Sequence, residues 1–200
     1  MNRTIDYYNK NAKTFAEETI TADISNIRKR FELRINSSSE PLILDWGCGS
    51  GRDTLEFIKD GFNVEAVDAS RELCEIASEY AGINVRCESF YDLDAINRYD
   101  GIWACASLLH LQKKEIPNVI TIAKKALKPS GILYASFKYG DFEGEEKERH
   151  FAYLTESGFD DVMKSVDGMK LIDIFKSTDV RRGVDVDWLN VMLEKSSSVV

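Results

Sequence analysis

Metal ligands are scarce in this chain. Its 200 residues include only two histidines, His110 and His150, and four cysteines, Cys48, Cys74, Cys87 and Cys105, none of which forms a C-x-x-C pair. That spacing argues against a zinc site, and no metal is expected. Each cysteine falls in or beside an apolar segment and reads as a small buried hydrophobe. Long hydrophobic runs are missing too. Nothing approaches the roughly 20 residues of a membrane span, and Met1 to Lys10 is polar where a signal peptide needs an apolar segment. A cytoplasmic protein with no membrane partner is expected. Nor is there an excess of basic charge: 26 lysines and arginines against 34 acidic residues give a net charge of −8. That balance disfavours attachment to nucleic acid or anionic lipid through bulk charge. What remains is an ordinary globular composition, 44% hydrophobic, at a length that suits one domain, as a monomer or homodimer.

The informative stretch is LILDWGCGSGRD, from Leu42 to Asp53. Leu42, Ile43 and Leu44 form the short apolar run of a strand buried on both faces of a parallel sheet. Asp45 ends it. Gly47, Gly49 and Gly51 follow at alternate positions, and from Thr54 the spacing of Leu55, Phe57 and Ile58 suits a helix packing back on the sheet. Glycines serve where the backbone takes positive φ or a ligand approaches closely, and the N–H groups at a helix start attract an anionic group. The dinucleotide fingerprint G-x-G-x-x-G is not met, because Arg52 stands where its third glycine would fall. The run is D-x-G-x-G-x-G.

Strand and helix signals then alternate. Gly61 stops the first helix, and a strand from Phe62 to Val67 finishes at Asp68, 17 residues after Gly51. An acidic residue there suits ribose hydroxyls, and it also suits the start of the helix that follows. Arg71 to Tyr80 reads as a helix closed by Gly82, Ile83 to Cys87 as a strand, Tyr99 to Cys105 as a strand, and Glu115 to Leu127 as a helix with Pro117 tolerated in its first turn. Pro129-Ser130-Gly131 turns into a strand from Ile132 to Phe137. Before all this stand two amphipathic stretches, one through Tyr8, Ala12 and Phe15, the other through Ile24, Ile27, Phe31 and Ile35. They are read as lying outside the βαβ core, joined to it by the connector Ser37 to Pro41. After it come a charged, aperiodic segment from Lys138 to Tyr153, a helix from Thr155 to Val166, and two β-rich runs, Met169 to Phe175 and Trp188 to Leu193, that read as a closing hairpin. The serine-rich tail, Lys195 to Val200, is expected to fray.

With its acidic residue directly before the glycine turn, this pattern resembles the class I S-adenosylmethionine-dependent methyltransferases. LKPSGILY resembles their fourth helix, turn and fifth strand, so the likeness runs from Leu42 to Phe137. The resemblance implies a doubly wound α/β fold with a seven-stranded, mostly parallel sheet, an antiparallel C-terminal edge hairpin and an N-terminal helical lid. Residues 1–36 would form the lid, 37–137 the cofactor-binding core, 138–154 a substrate loop and 155–195 the C-terminal helix and hairpin. It implies S-adenosyl-L-methionine as cofactor, with S-adenosyl-L-homocysteine as product. The backbone of Gly47, Gly49 and Gly51 would approach the methionine part, Asp45 would meet its ammonium group, and Asp68 would hold the ribose. Trp46 and Ala69 flank those sites, Ser89 and Phe90 stand near the adenine, and Ala106 and Ser107 near the methyl group. Tyr8, in the Tyr7-Tyr8 pair followed by Asn11, either contacts the cofactor or anchors its helix. Arg52 pairs with the cofactor carboxylate or forms a surface salt bridge.

Catalytic candidates are His110, past the end of the Tyr99 strand, and Arg149 and His150 in the charged segment. Arg149, His150, Phe151 and Tyr153 suit an anionic or planar substrate. The group most resembled is that of small tellurite-resistance and thiopurine-like methyltransferases, by short length, compact lid and Ser136-Phe137-Lys138 followed by Arg149. A small-molecule acceptor is expected. Two other readings stay open: a transfer-RNA methyltransferase using a basic surface of Arg28, Lys29, Arg30, Lys113, Lys114, Arg181 and Arg182, and a nonenzymatic S-adenosylmethionine-binding module.

Overall fold

The apolar run after Pro41 forms β1 (Leu42–Trp46), an inner strand of a sheet completed by β2 (Asn63–Asp68), β3 (Arg86–Cys87), β4 (Tyr99–Ala104), β5 (Leu127–Lys138), β8 (Met169–Thr178) and β9 (Asp187–Lys195). In this computed structural model, which describes residues 3–35 and 39–197, the strand order is β3-β2-β1-β4-β5-β9-β8. β1 pairs in parallel with β2 on one side and β4 on the other, Ile43 lying opposite both Val64 and Gly101. Only β9 runs against its neighbours, β5 and β8. The chain order reverses between β1 and β4, and a crevice opens at the carboxyl ends of strands at such a reversal. The expected seven-stranded, mostly parallel sheet with a closing edge hairpin is therefore what the chain forms.

Helices α3 (Arg52–Lys59), α4 (Arg71–Ala81), α5 (Ile116–Ala126) and α6 (Glu156–Met163) cover the sheet. Leu73, Cys74 and Ala77 of α4 and Val119, Ile120 and Ala123 of α5 are buried, as the i, i+3, i+4 spacing of their apolar residues requires. Ser70 caps α4, its hydroxyl accepting from the Leu73 N–H at 3.3 Å.

Several expectations need correction. β3 is only two residues long rather than Ile83 to Cys87, and Cys87 at its end is exposed, so it is no buried hydrophobe. The turn at Pro129 to Gly131 lies within β5, because Leu127 already pairs with Tyr99 and the irregular register is absorbed there, with Ser130 at φ 60°. The segment after β5 is not a loop. Residues Glu143–Glu146 (β6) and Arg149–Ala152 (β7) pair as an antiparallel hairpin, whose two connecting residues, Lys147 and Glu148, take φ 48° and 65°. Tight hairpin turns of that handedness ordinarily carry Asn-Gly or Asp-Gly, so a Lys-Glu pair gave no signal of one.

The two N-terminal helices part ways. α1 (Arg3–Thr19) lies over the crevice, whereas α2 (Ser25–Glu32) is a layer of the core, contrary to the reading of both as outside it. Phe31 of α2 is fully buried, its ring 5.2 Å from Trp103 and 5.9 Å from Phe57. Gly101 of β4 makes room, since a Cβ there would come within 2.6 Å of both Phe31 and Ile35. Arg28, also buried, reaches from α2 into α3, where Glu56 accepts its hydrogen bond at 3.3 Å and Asp53 and Asp60 lie at 3.8 and 3.7 Å. Met1, Asn2, Asn36, Ser37 and Ser38 of the proposed lid and connector, and residues 198–200 of the tail, lie outside the described residues.

Candidate active site

A cavity of about 680 Å³ occupies the crevice. Its floor is the turn after β1. Gly47, Gly49 and Gly51 all take positive φ, and neighbours in the chain itself enforce small residues there. A Cβ at Gly47 would lie 2.5 Å from the Ser107 Cβ, and one at Gly51 would meet Ala77 of α4 at 3.0 Å. Gly47 and Gly49 line the cavity. Gly51 does not, so its smallness serves the packing of α3 on α4 rather than a ligand. Trp46 is likewise displaced from its expected place: it does not line the cavity, its ring is fully buried in the core, edge-on to Phe90 at 5.1 Å, and its carbonyl accepts from the Ser107 hydroxyl at 2.8 Å.

The remaining expected cofactor residues, Tyr8, Asp45, Asp68, Ala69, Ser89, Phe90, Ala106 and Ser107, all line the cavity. Asp68 is held by two backbone N–H groups, from Gly49 and Ser70, each at 2.9 Å. Burial pushes its carboxyl up, against the downward pull of those N–H groups. Each oxygen keeps further acceptor capacity, because a carboxylate offers about four lone-pair sites. Asp45 is 2% exposed and accepts from the Thr54 hydroxyl at 2.6 Å. Burial, followed by the neighbouring Asp53, pushes its carboxyl up to about 8. Asp53 takes the Arg52 guanidinium at 2.7 Å and the Trp103 indole N–H at 2.9 Å, and Arg52 itself lines the cavity. Ala106 adopts φ 50°, and the Ser136 hydroxyl accepts its N–H at 2.8 Å. A non-glycine residue held in that region is strained, and such strain concentrates at functional sites. Cys48 and Cys105 also face the cavity, but burial pushes the Cys105 thiol up to about 12 and Cys48 upward as well, so both stay protonated and unreactive.

α1 spans the mouth. Ser70 donates to the Asn9 side chain at 2.7 Å, Phe15 packs edge-on to Tyr8 at 5.0 Å, and the backbone N–H of His150 donates to Thr4 at 3.0 Å. Under it runs a directed chain of hydrogen bonds. His110 Nδ1 lies 2.8 Å from the His150 carbonyl, and a carbonyl can only accept, so Nδ1 carries the proton. Burial pushes the His110 imidazole down to about 4. It is neutral, and its Nε2 accepts from the Tyr8 hydroxyl at 2.8 Å. The Tyr8 oxygen in turn accepts from Arg149 at 3.4 Å. His110 therefore does not stand as a free proton acceptor. His150 does not line the cavity and contributes its backbone instead. Arg149 lines it and stacks on Tyr7 at 4.4 Å and Phe151 at 5.0 Å.

Sequence reasoning missed Ser136, Lys138, Asp179 and Trp188 as lining residues. Ser136 was legible in principle, as a hydroxyl near the carboxyl end of a central strand. The basic residues named for RNA do not assemble one surface. Arg28 is buried among carboxylates, Arg30 bonds Asp173 in a fork at 2.6 and 2.7 Å, and Arg181 is forked onto Asp179.

Residues 43–131 match the model of a methyltransferase domain. The ubiquinone biosynthesis O-methyltransferase of Rickettsia conorii is 30% identical over 115 residues, 55% of this chain and 39% of that protein. The chain thus spans well under half the length of that relative. Among solved structures, the 1,6-didemethyltoxoflavin N1-methyltransferase of Burkholderia thailandensis, with its substrate and S-adenosylhomocysteine bound, superposes with a TM-score of 0.71 at 21% identity, over 96% of this chain and 85% of that one. The cyclase SpnF superposes with a TM-score of 0.76 at 15% identity, over 99% and 97%. These likenesses concern the fold, which by itself does not fix the reaction.

Proposed function

We propose that this chain transfers a methyl group from S-adenosyl-L-methionine to a small-molecule acceptor. The observation that carries the reading is the pair of carboxyl groups at the carboxyl ends of neighbouring strands, within the segment that matches the methyltransferase domain: Asp45, next to last in β1, and Asp68, last in β2, both line the crevice. Asp45 sits buried and, among the described residues, no cation is bonded to it, which fits an amino-acid ammonium group. Asp68 is fixed by two N–H groups with lone pairs left over, which fits a ribose diol. When bound, the sulfonium donor supplies an electrophilic methyl group. The chain's own task is then to hold the acceptor in line and to exclude water, an orienting effect that can supply about 7–11 kcal/mol. α1 closes the mouth, Tyr8 and Phe15 wall the interior, and Ala106 and Ser107 shape the region between donor and acceptor. His110 acts as a positioning residue that fixes the Tyr8 hydroxyl. The cavity continues past the end of β4 to Lys138 and Trp188, which supports an acceptor site over a pure binding module. The strand end Ser136-Phe137-Lys138 with Arg149 is what supports the small tellurite-resistance and thiopurine-like subgroup.

The test is a transfer screen with the methyl-labelled donor against cell extract divided into small-molecule and RNA fractions. Label is expected in the first; label in neither counts against the enzyme. Asp68→Ala should weaken S-adenosylhomocysteine binding by about 1–3 kcal/mol, the worth of hydrogen bonds to a charged group, as read by calorimetry. An unchanged affinity would remove Asp68 from the ribose.

A further inference from the structure

Charge divides the cavity into two halves. On the side of β1, β2 and β3 its lining carries Asp45, Asp68 and Glu88 beside the mutually paired Arg52 and Asp53, a net acidic set. On the side of β5 and the β6–β7 hairpin it is basic, with Lys138, Lys147 and Arg149. Tyr8 stands at the border, its hydroxyl bonded to Arg149 on one side and facing the Asp68 charge on the other. Arg149 is the unusual member. Lys138 pairs with Glu146 at 3.3 Å and donates to Tyr153 at 2.8 Å. Among the described residues no carboxylate pairs with Arg149. Its contacts are the Tyr8 oxygen and the faces of Tyr7, Tyr8 and Phe151, and its Nε is wholly buried without a hydrogen-bond partner.

A half-buried guanidinium walled by rings has lost hydration without regaining a counter-charge. Its planar fork matches an oxygen anion better than any other group. The hairpin that carries it is fixed on both sides, by Thr4 of α1 and by His110, so the fork is held in place rather than swinging free. Neither histidine offers the cavity a free lone pair, His110 being engaged through both ring nitrogens and His150 lying outside the lining. An acceptor that arrives with its proton already lost needs no base from them. From the unpaired Arg149 fork in the basic half of the crevice we infer that the acceptor binds as a small planar oxyanion, its charge on Arg149. This rests on the methyl-transfer reading for the word acceptor, but the anion site stands on its own residues.

The experiment separates the two. S-adenosylhomocysteine binding is measured first, because its absence would strike the methyl-transfer reading alone. With and without it, benzoate is compared with benzamide, and 4-nitrophenol is titrated by the absorbance of its phenolate. Benzoate should bind at least about tenfold more tightly than its neutral amide, as expected for a charge-assisted fork. A gain in the phenolate band on binding would identify the ionised oxygen itself as the bound group; a carboxylate preference without it would identify a separate anchor. Arg149→Met should abolish either preference, and Arg149→Lys, which keeps the charge and loses the fork, should retain part of it, with both variants keeping the wild-type circular dichroism and melting temperature as evidence of folding. Equal binding of benzoate and benzamide with no phenolate gain, or a preference that survives in Arg149→Met, would overturn the proposal.

Discussion

Replacing Asp45 by asparagine should make the ligand-free protein more stable at alkaline pH and disable it for cofactor binding. The wild-type carboxyl titrates near 8 in the folded chain against an ordinary value of 3.8. A raised folded-state value means that the native protein holds the proton more tightly than the unfolded one. The stability this contributes is fully present below about pH 4 and is lost as pH rises through 8. Asparagine keeps the acceptor for the Thr54 hydroxyl and never ionises. The melting temperatures of the two proteins should therefore coincide near pH 4 and separate with rising pH. The gap above pH 8 should level off at about 6 kcal/mol, on the order of 15 °C for a chain of this size. A gap independent of pH would mean that Asp45 is not held protonated. The same group links cofactor binding to protons. If an ammonium group ionises Asp45 on arrival, S-adenosylhomocysteine should bind about tenfold more tightly per pH unit between 6 and 8, and calorimetry in buffers of different ionisation heat should show close to one proton released. In Asp45→Asn that pH dependence should vanish along with most of the affinity. The stabilised variant would then be the inactive one, as is common where a site stores unfavourable burial for function.

How much of this was legible beforehand depends on whether a residue's role is local. Leu42 to Leu44 announced a buried strand because a run of apolar residues has no other comfortable place, and the alternation of strands and helices up to Phe137 dictated the sheet. Asp68 was placed by spacing, at the end of its strand, and Asp45 by its resemblance to the acidic residue that stands directly before such a glycine turn. The glycines were placed correctly and explained incompletely. They look like room for a ligand, yet Gly51 is small because Ala77, in a helix some 26 residues further on, lies against it. Roles that depend on distant chain stayed hidden for the same reason. Nothing in the string around His150 says that its carbonyl will fix the tautomer of His110, 40 residues earlier. Nothing around Lys147 and Glu148 announces a tight hairpin, because the turn is imposed by the docking of β7 on α1 rather than by the turn residues' own preference. Trp46 was assigned to the site by its position beside the glycines, but strand alternation turns its ring to the core.

The sharpest disagreement between sequence and structure concerns α2, and it yields the second large effect. The spacing of Ile24, Ile27, Phe31 and Ile35 reads equally well for a helix that opens over a site and for one that closes a core, because both need one apolar face. The partner of that face decides. Phe31 lies against Phe57, Trp103 and Tyr134, with Gly101 leaving the space its ring fills. Removing a fully buried ring from such a cluster costs about 3–5 kcal/mol in lost transfer energy and residual cavity. Phe31→Ala should therefore cut the unfolding free energy in urea by that amount with the slope unchanged, and Gly101→Ala should also destabilise by driving a methyl group into the same ring. Were α2 a mobile cover, Phe31→Ala would cost under about 1 kcal/mol, as surface changes do, and would instead alter cofactor release. The corresponding substitution on α1, Tyr8→Phe, removes only a hydroxyl that bonds His110 and Arg149. It should cost about 1–2 kcal/mol by leaving the buried His110 Nε2 unpaired, well below Phe31→Ala, and change the site, so the pair of variants separates the helix that belongs to the core from the one that belongs to the crevice.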